Sequence, residues 1–300
     1  MKTIAAVVVT FNRADLLDQV ITHLSEQSRR IDCLIIVDNA STDHTQKVIG
    51  QHISLGRINI DNVVLSRNIG GAGGFYHGAK KAYQDGYSAV WFMDDDTMPQ
   101  KDALEHLVTD LVSFEKDTEY RPAFICSTVL WKNNDLCEMN IPKPIWDWPR
   151  FLFDKHRVAL VECCSFVSVL VRREKIKVAG YPFPNFFIWY DDVEYTKRLS
   201  QAGYPGLLSV RSKVNHYLAE NKGVNYSMIT TANSWKYRFG IRNEAAVILR
   251  DHGFLRYIYF GIHCLREAYR CDISGVIKVE LFKAFLSAYK FKIAIEYPAD

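Results

Sequence analysis

The chain predicts an α/β fold: a mostly parallel central sheet flanked by helices, followed by a helical C-terminal region. Three observations carry this. Short apolar runs alternate with amphipathic stretches through the N-terminal half, the pattern of βαβ units. Polar signatures recur directly after those runs, at the sheet edge where such folds bind ligands. Residues 234–293 then change character, holding 11 Lys or Arg against 5 Asp or Glu, while the rest of the chain is net −3.

Each element can be justified in order. Ile4–Val9 is a continuous apolar run and reads as the first strand. It starts too close to Met1 for a secretory leader, so no signal peptide is expected. Ala14–Glu26 carries Leu16, Leu17, Val20, Ile21 and Leu24 at helical spacing. Cys33–Val37 is a second buried strand, ending in Asp38-Asn39. Ser41-Thr42-Asp43 offers caps for a helix reaching about Gly50. Asn62–Leu65 is a short third strand. Asn68-Ile69-Gly70-Gly71-Ala72-Gly73-Gly74 reads as a glycine-rich loop, with Phe75–Gln84 a helix behind it. Tyr87–Met93 is a fourth strand, running into Asp94-Asp95-Asp96.

Further on, Pro99–Phe114 reads as a helix and Cys163–Val171 as a strand. Phe186–Tyr195 starts another helix, and Leu207–Val210 is a strand leading to His216. Residues 133–156 hold three prolines and two tryptophans without clear period. They read equally as a lid or as a loop pinned by buried Trp146 and Trp148. The chain divides into 1–232, an α/β domain, and 233–300, a basic aromatic helical region.

Composition bounds the function. With 48% hydrophobic and 24% charged residues this is a globular chain. A net charge of +3 implies no polyanion such as nucleic acid as a partner. Seven cysteines without metal-ligand spacing suit reduced thiols in the cytoplasm. No apolar stretch is long enough for a transmembrane helix. The basic, aromatic 234–293 segment suits contact with an anionic membrane or a lipid-pyrophosphate acceptor. A plain helical cap or a homo-oligomer interface competes with that reading.

Three adjacent carboxylates at a strand end repel one another and call for a cation. A hard divalent metal carrying phosphate oxygens is one solution. Read alone, the triplet describes a solvated acidic turn equally well. Asp191-Asp192 alone would be a favourable helix start.

In combination the motifs say more. Val8-Val9-Thr10-Phe11-Asn12-Arg13, Ile36–Asp43, Asp94–Asp96 and Asp191-Asp192 resemble the family-2 inverting glycosyltransferases, with their nucleotide-sugar-binding GT-A fold. The resemblance runs from Ile4 to about His216. Arg67–Phe75, Trp189–Tyr195 and Tyr237–Asn243 further resemble bacterial galactofuranosyltransferases and related rhamnosyltransferases. The polymerising members are larger, so single addition is expected.

The resemblance implies a function: transfer of a hexose from a nucleotide-diphosphate donor, with inversion. UDP-galactofuranose is the first choice of donor and dTDP-rhamnose the alternative. The acceptor would be a surface polysaccharide, lipid-linked, at the cytoplasmic face of the inner membrane. Asp38 would meet the nucleotide base. Thr10, Asn12 and Arg13 would grip base and diphosphate. Arg67, Asn68, Gly73 and Gly74 would approach the donor, and Asp95 the ribose or sugar. Asp94, Asp96 and His216 would ligate Mn²⁺ or Mg²⁺. Asp192 would be the base for the acceptor hydroxyl, with Asp191 the near alternative. Trp189 and Tyr190 would stack on the acceptor sugar. A nucleotidyltransferase would want glycines in the first loop, which here is Thr10–Asp15 without any. A non-catalytic binding module would not need Asp192 beside the triplet.

Overall fold

The computed structural model describes residues 1–299. The first half alternates as expected: β1 (Ile4–Thr10), α1 (Ala14–Ser25), β2 (Cys33–Asp38), α2 (Thr45–Leu55), β3 (Ile60–Val64), α3 (Gly70–Gln84) and β4 (Ala89–Asp94). Then come β5 (Thr97–Pro99), α4 (Ala103–Asp117), β6 (Ile125–Leu130), β7 (Lys143–Pro144), β8 (Val158–Cys163), β9 (Val169–Arg172), α5 (Arg173–Ala179), α6 (Asp191–Gln201) and β10 (Gly206–His216). Two helices follow, α7 (Ser234–Arg270) and α8 (Gly275–Ser287).

The strands form one sheet in the order β3-β2-β1-β4-β9-β6-β10-β8-β7, with β5 pairing β10. The first four run parallel. Beyond β4 the sheet is mixed, because β9 lies antiparallel to both β4 and β6. The chain leaves β1 in one direction for β2 and lies on the other side for β4. That reversal opens a crevice at the carboxyl ends of β1 and β4. Register puts Thr10 opposite Asp38 and Val9 opposite Asp94, so three signatures share one edge.

Period-two alternation splits β1 between two cores. Ile4, Ala6 and Val8 face α1 and α4, meeting Leu17, Leu104 and Trp91. Ala5, Val7 and Val9 face α3 and α6, meeting Phe75, Phe92 and Tyr195. Each fully buried side chain of this size stabilises by about 1.5–3 kcal/mol. A third cluster, from Tyr237 to Ala288, belongs to α7 and α8.

Four local expectations are corrected. The glycine-rich segment is not a loop: from Gly70 onward it is the start of α3. Its glycines let the helix lie against the sheet. A Cβ on Gly74 would sit 2.3 Å from Val9 Cγ1, and one on Gly78 2.3 Å from Val7 Cγ1. The helix expected from Phe186 starts at Asp191 instead. Phe187, Trp189 and Tyr190 before it have φ of 71°, 64° and 72°. The strand expected over Cys163–Val171 is two strands, β8 and β9, joined by a turn at Cys164–Ser168. The helix expected from Pro99 begins at Ala103, since Thr97–Pro99 pairs with β10.

Residues 133–156 are not pinned by buried tryptophan, because Trp146 is 99% exposed. All seven cysteines are free, six of them buried. No helix among the described residues is long and apolar enough to cross a membrane.

Candidate active site

The crevice at the end of β1 and β4 opens into a cavity of about 630 Å³. Arg13, Asp94–Asp96, Trp189–Asp192 and His216 all line it. Eight of the residues singled out from sequence are thus brought together with His216, from four segments of chain.

Asp94 ends β4 and Asp96 follows it. His216 ends β10, whose antiparallel pairing with β5 sets His216 opposite Thr97. That pairing brings together residues 120 apart in sequence: His216 Nε2 lies 3.0 Å from Asp96 Oδ1. Asp94, Asp96 and His216 each offer one atom within 4.8 Å of the others'. On its other side, His216 Nδ1 lies 2.7 Å from Asn140 Oδ1. The Asn140 amide nitrogen donates to Ser165 Oγ, which fixes its orientation. Nδ1 therefore carries the proton, and Nε2 is aimed at the carboxylates, as in a metal-bound histidine with its outer partner.

The electrostatics of the site favour a positive charge. Burial, and then the neighbouring Asp96, push the Asp94 carboxyl up to about 7. Burial also pushes Asp95 up to about 6, against the pull of Arg13. For Asp96 burial acts in the same direction. The hydrogen bond and charge of His216 and Arg13 outweigh it and hold Asp96 below the usual range. Two carboxylates and an imidazole, crowded and mostly buried, fit a hard or borderline divalent cation.

Asp95 points elsewhere. It accepts from Thr10 Oγ1 at 2.8 Å and from Arg13 Nη1 at 3.0 Å. The same Arg13 nitrogen donates to Asp96 at 2.6 Å. Asp95 thus ties β1 to the triplet.

Asp191 and Asp192 open α6, at the end of the left-handed stretch. Such residues cost about 1–3 kcal/mol each unless the surroundings enforce them. The enforcement comes from α7. Asn243, fully buried, donates its amide N–H groups to the carbonyls of Phe186, Ile188 and Trp189 at 3.0, 3.1 and 2.8 Å. Arg242 adds contacts to the carbonyls of Asn185 and Phe186. The Trp189 ring packs edge-on to Tyr237, centroids 4.8 Å apart. Asp192 accepts from the Val193 backbone N–H at 2.7 Å. Burial outweighs that bond and pushes its carboxyl up to about 6. Burial and the Asp192 charge raise Asp191 further.

The other expected donor contacts lie outside the cavity lining. Asp38 is fully buried and already accepts from Ser41 N–H and the Gln46 amide. Asn12 accepts from Thr42 N–H and holds that loop. Asn68 accepts from Gly70 N–H. Arg67 is exposed and has no hydrogen-bond or ion-pair partner among the described residues. Gly73 and Gly74 are buried in packing. From 133–156 it is Met139 and Asn140, not the tryptophans, that line the cavity. Asn140, Asn243 and Glu244 were missed from sequence. Only Asn243 carried a signal, in the Tyr237–Asn243 resemblance.

The sequence model of glycosyl transferase family 2 matches residues 5–176. A galactofuranosyltransferase, GlfT1 of Mycobacterium tuberculosis H37Rv, is 31% identical over 213 residues. The match covers 68% of this chain and 66% of that protein's length. GlfT1 of Mycolicibacterium smegmatis is 26% identical over 217 residues, 68% of this chain and 67% of that one.

Among solved structures, GalNAc-T7 with UDP, GalNAc and Mn²⁺ is similar at TM-score 0.65 and 16% identity, over 96% of this chain and 57% of that one. Staphylococcus aureus TarS 1-349 with UDP gives 0.56 and 14%, over 97% and 72%. The mannosyltransferase PcManGT of Pyrobaculum calidifontis, with GDP-Man and Mn²⁺, gives 0.54 and 17%, over 96% and 74%. These likenesses concern the fold, which is GT-A. By the family match over more than half its length, the chain belongs to glycosyl transferase family 2.

Proposed function

We propose that this glycosyltransferase moves galactofuranose from UDP-galactofuranose to a sugar hydroxyl, inverting the anomeric centre in one displacement. The observation that carries the reading is the meeting of Asp94, Asp96 and His216 in one cavity with Asp192. The choice of galactofuranose is supported by the similarity to the two GlfT1 proteins.

Mn²⁺ or Mg²⁺ held by Asp94, Asp96 and His216 would supply charge neutralisation for the departing diphosphate. The chain's own residues do the rest. Arg13 contacts the triplet through Nη1 alone, leaving its other N–H groups for phosphate oxygens. Asp192, with a carboxyl near 6, is deprotonated at neutral pH yet basic enough to take the acceptor's proton. Asp191 is the nearest alternative. Trp189 and Tyr190 present ring surface to the acceptor. Thr10 and Asp95 hold the triplet in place. For Asp38, Asn12, Asn68, Gly73 and Gly74 we assign a role in shaping the donor side from behind, through the contacts described above, and for exposed, unpaired Arg67 a direct contact with the donor.

We divide the chain into a transferase domain, 1–232, and a docking region, 233–300. The docking face is supported by Phe254, Leu255, Ile258, Tyr259 and Ile262, exposed along one side of α7. Arg256 and Arg266 lie on the same helix, and Lys278 and Lys283 on α8, which packs against it. This basic apolar face suits an anionic membrane presenting a lipid-linked acceptor, at the cytoplasmic surface. A second copy of the chain is the other occupant that vesicle binding distinguishes.

A donor panel tests the reading, with products identified by mass. Transfer or slow hydrolysis of UDP-galactofuranose is the expected result. Preference for dTDP-rhamnose would move the assignment to a rhamnosyltransferase. Release of pyrophosphate would replace it with a nucleotidyltransferase.

A further inference from the structure

Glu244 follows Asn243 on α7 and lines the same cavity as Asp94 and Asp192. Asp94 lies beside His216 and backbone N–H groups reach Asp191, so Glu244 differs in having no such neighbour. Asp95 and Asp96 have Arg13, and Asp192 has a backbone donor. Glu244 has no hydrogen-bond or ion-pair partner among the described residues. Burial alone raises its carboxyl, to about 7. Its charge is felt by Tyr190 and Tyr226. Lys236 also lines the cavity, but its ammonium lies over the Trp235 ring at 5.7 Å. A largely buried polar group without a partner is costly. Where one persists in a cavity, a ligand that supplies the missing donors is the economical explanation.

The surroundings say what kind of ligand. Trp189, Tyr226 and Tyr237 line the same cavity, with the Trp189 and Tyr237 rings packed edge-on. Aromatic faces beside an unpaired carboxylate match a sugar. Its C–H face packs on the rings, and two neighbouring hydroxyls donate to the two carboxylate oxygens. Asn243, one residue before, holds the backbone that carries Trp189. The α7 backbone that carries Glu244 is therefore held to the segment that leads into Asp191-Asp192.

We propose that Glu244, with Trp189, Tyr226 and Tyr237, forms a subsite for the terminal sugar of the acceptor and selects a neutral one. The carboxylate takes two hydroxyl donors and repels an acceptor ending in a carboxylate or phosphate. This rests on reading the Asp192 side of the cavity as the acceptor side.

The test uses the full chain with Mg²⁺ and UDP. Octyl galactofuranoside and its uronic-acid counterpart are titrated by saturation-transfer NMR. The wild type should bind the neutral glycoside about ten-fold more tightly than the uronoside. Glu244→Gln should bind the neutral glycoside about three- to ten-fold more weakly and lose most of the discrimination. Equal affinities in the wild type, or a variant indistinguishable from it, overturn the subsite. UDP affinity, read in the same samples, reports on the donor site alone. The two readings therefore fail separately.

Discussion

Replacing Asp94 with asparagine should stabilise the cation-free protein while abolishing its response to cations. Asp94 has a carboxyl at about 7 in the folded chain, against about 3.9 in an unfolded one. The folded state therefore binds more protons between about pH 4 and pH 7, and stability falls as pH rises through that window. Below the unfolded value the penalty is absent; above about 7 it is complete. At about 1.36 kcal/mol per pK unit the full penalty is about 4 kcal/mol. Asp94 also helps hold the His216 imidazolium, whose proton is kept up to about 10. Burial opposes that proton, and Asp96, Cys137 and Asp94 favour it. Losing this attraction offsets part of the gain, so Asp94→Asn should add on the order of 1–3 kcal/mol at pH 7.5. Urea unfolding at pH 7.5 and pH 5, with and without Mn²⁺, is the assay. The wild type should gain stability with Mn²⁺ at pH 7.5 and much less at pH 5. The variant should start higher and gain little. A variant less stable than wild type without cation, or equally stabilised by Mn²⁺, would refute the reasoning.

The other predictions concern the base, the packing glycines and the docking face. Asp192→Asn should lower transfer by at least about 100-fold while keeping UDP affinity; near-normal turnover removes Asp192 as the base. Because only the deprotonated carboxylate accepts a proton, wild-type transfer should rise from pH 5 and level off above about 7, given a carboxyl near 6. A rate that does not change over that range contradicts the assignment. Gly74→Ala forces a Cβ to 2.3 Å from Val9 and should destabilise by about 1–3 kcal/mol. If it unfolds normally in urea but no longer binds UDP, the glycine serves the donor and not the packing. Leu255→Glu with Tyr259→Glu should stop the protein sedimenting with phosphatidylserine vesicles. A wild type that never sediments, and that migrates as a dimer, points to a second copy on that face.

What was legible in the sequence was local or periodic. The strands β1, β2 and β4 are unbroken apolar runs, and their polar ends announced the sheet edge. The triplet, His216 and Asp191-Asp192 were named as one site, and the fold puts them in one cavity. What escaped depends on contacts between distant segments. Glycines lower helix propensity, so Gly70–Gly74 read as a loop; tertiary packing on Val9 overrides that. The apolar run from Phe186 read as helix. Hydrogen bonds from Asn243, more than 50 residues later, hold it in an extended, left-handed path. Asn140 supports His216 across 76 positions of sequence, with no spacing to reveal it. Asp38, expected to meet the nucleotide base, is buried and accepts from Ser41 and Gln46, which lie three and eight residues on.

The most direct measurement is the anomeric configuration of the product. An α-configured UDP-galactofuranose, an octyl glycoside acceptor and Mn²⁺ would be incubated with the full chain, and the new linkage read by NMR. A single displacement with Asp192 as base predicts a β-linked product whose formation stops when the cation is chelated. An α-linked product, or undiminished transfer without cation, would contradict the account.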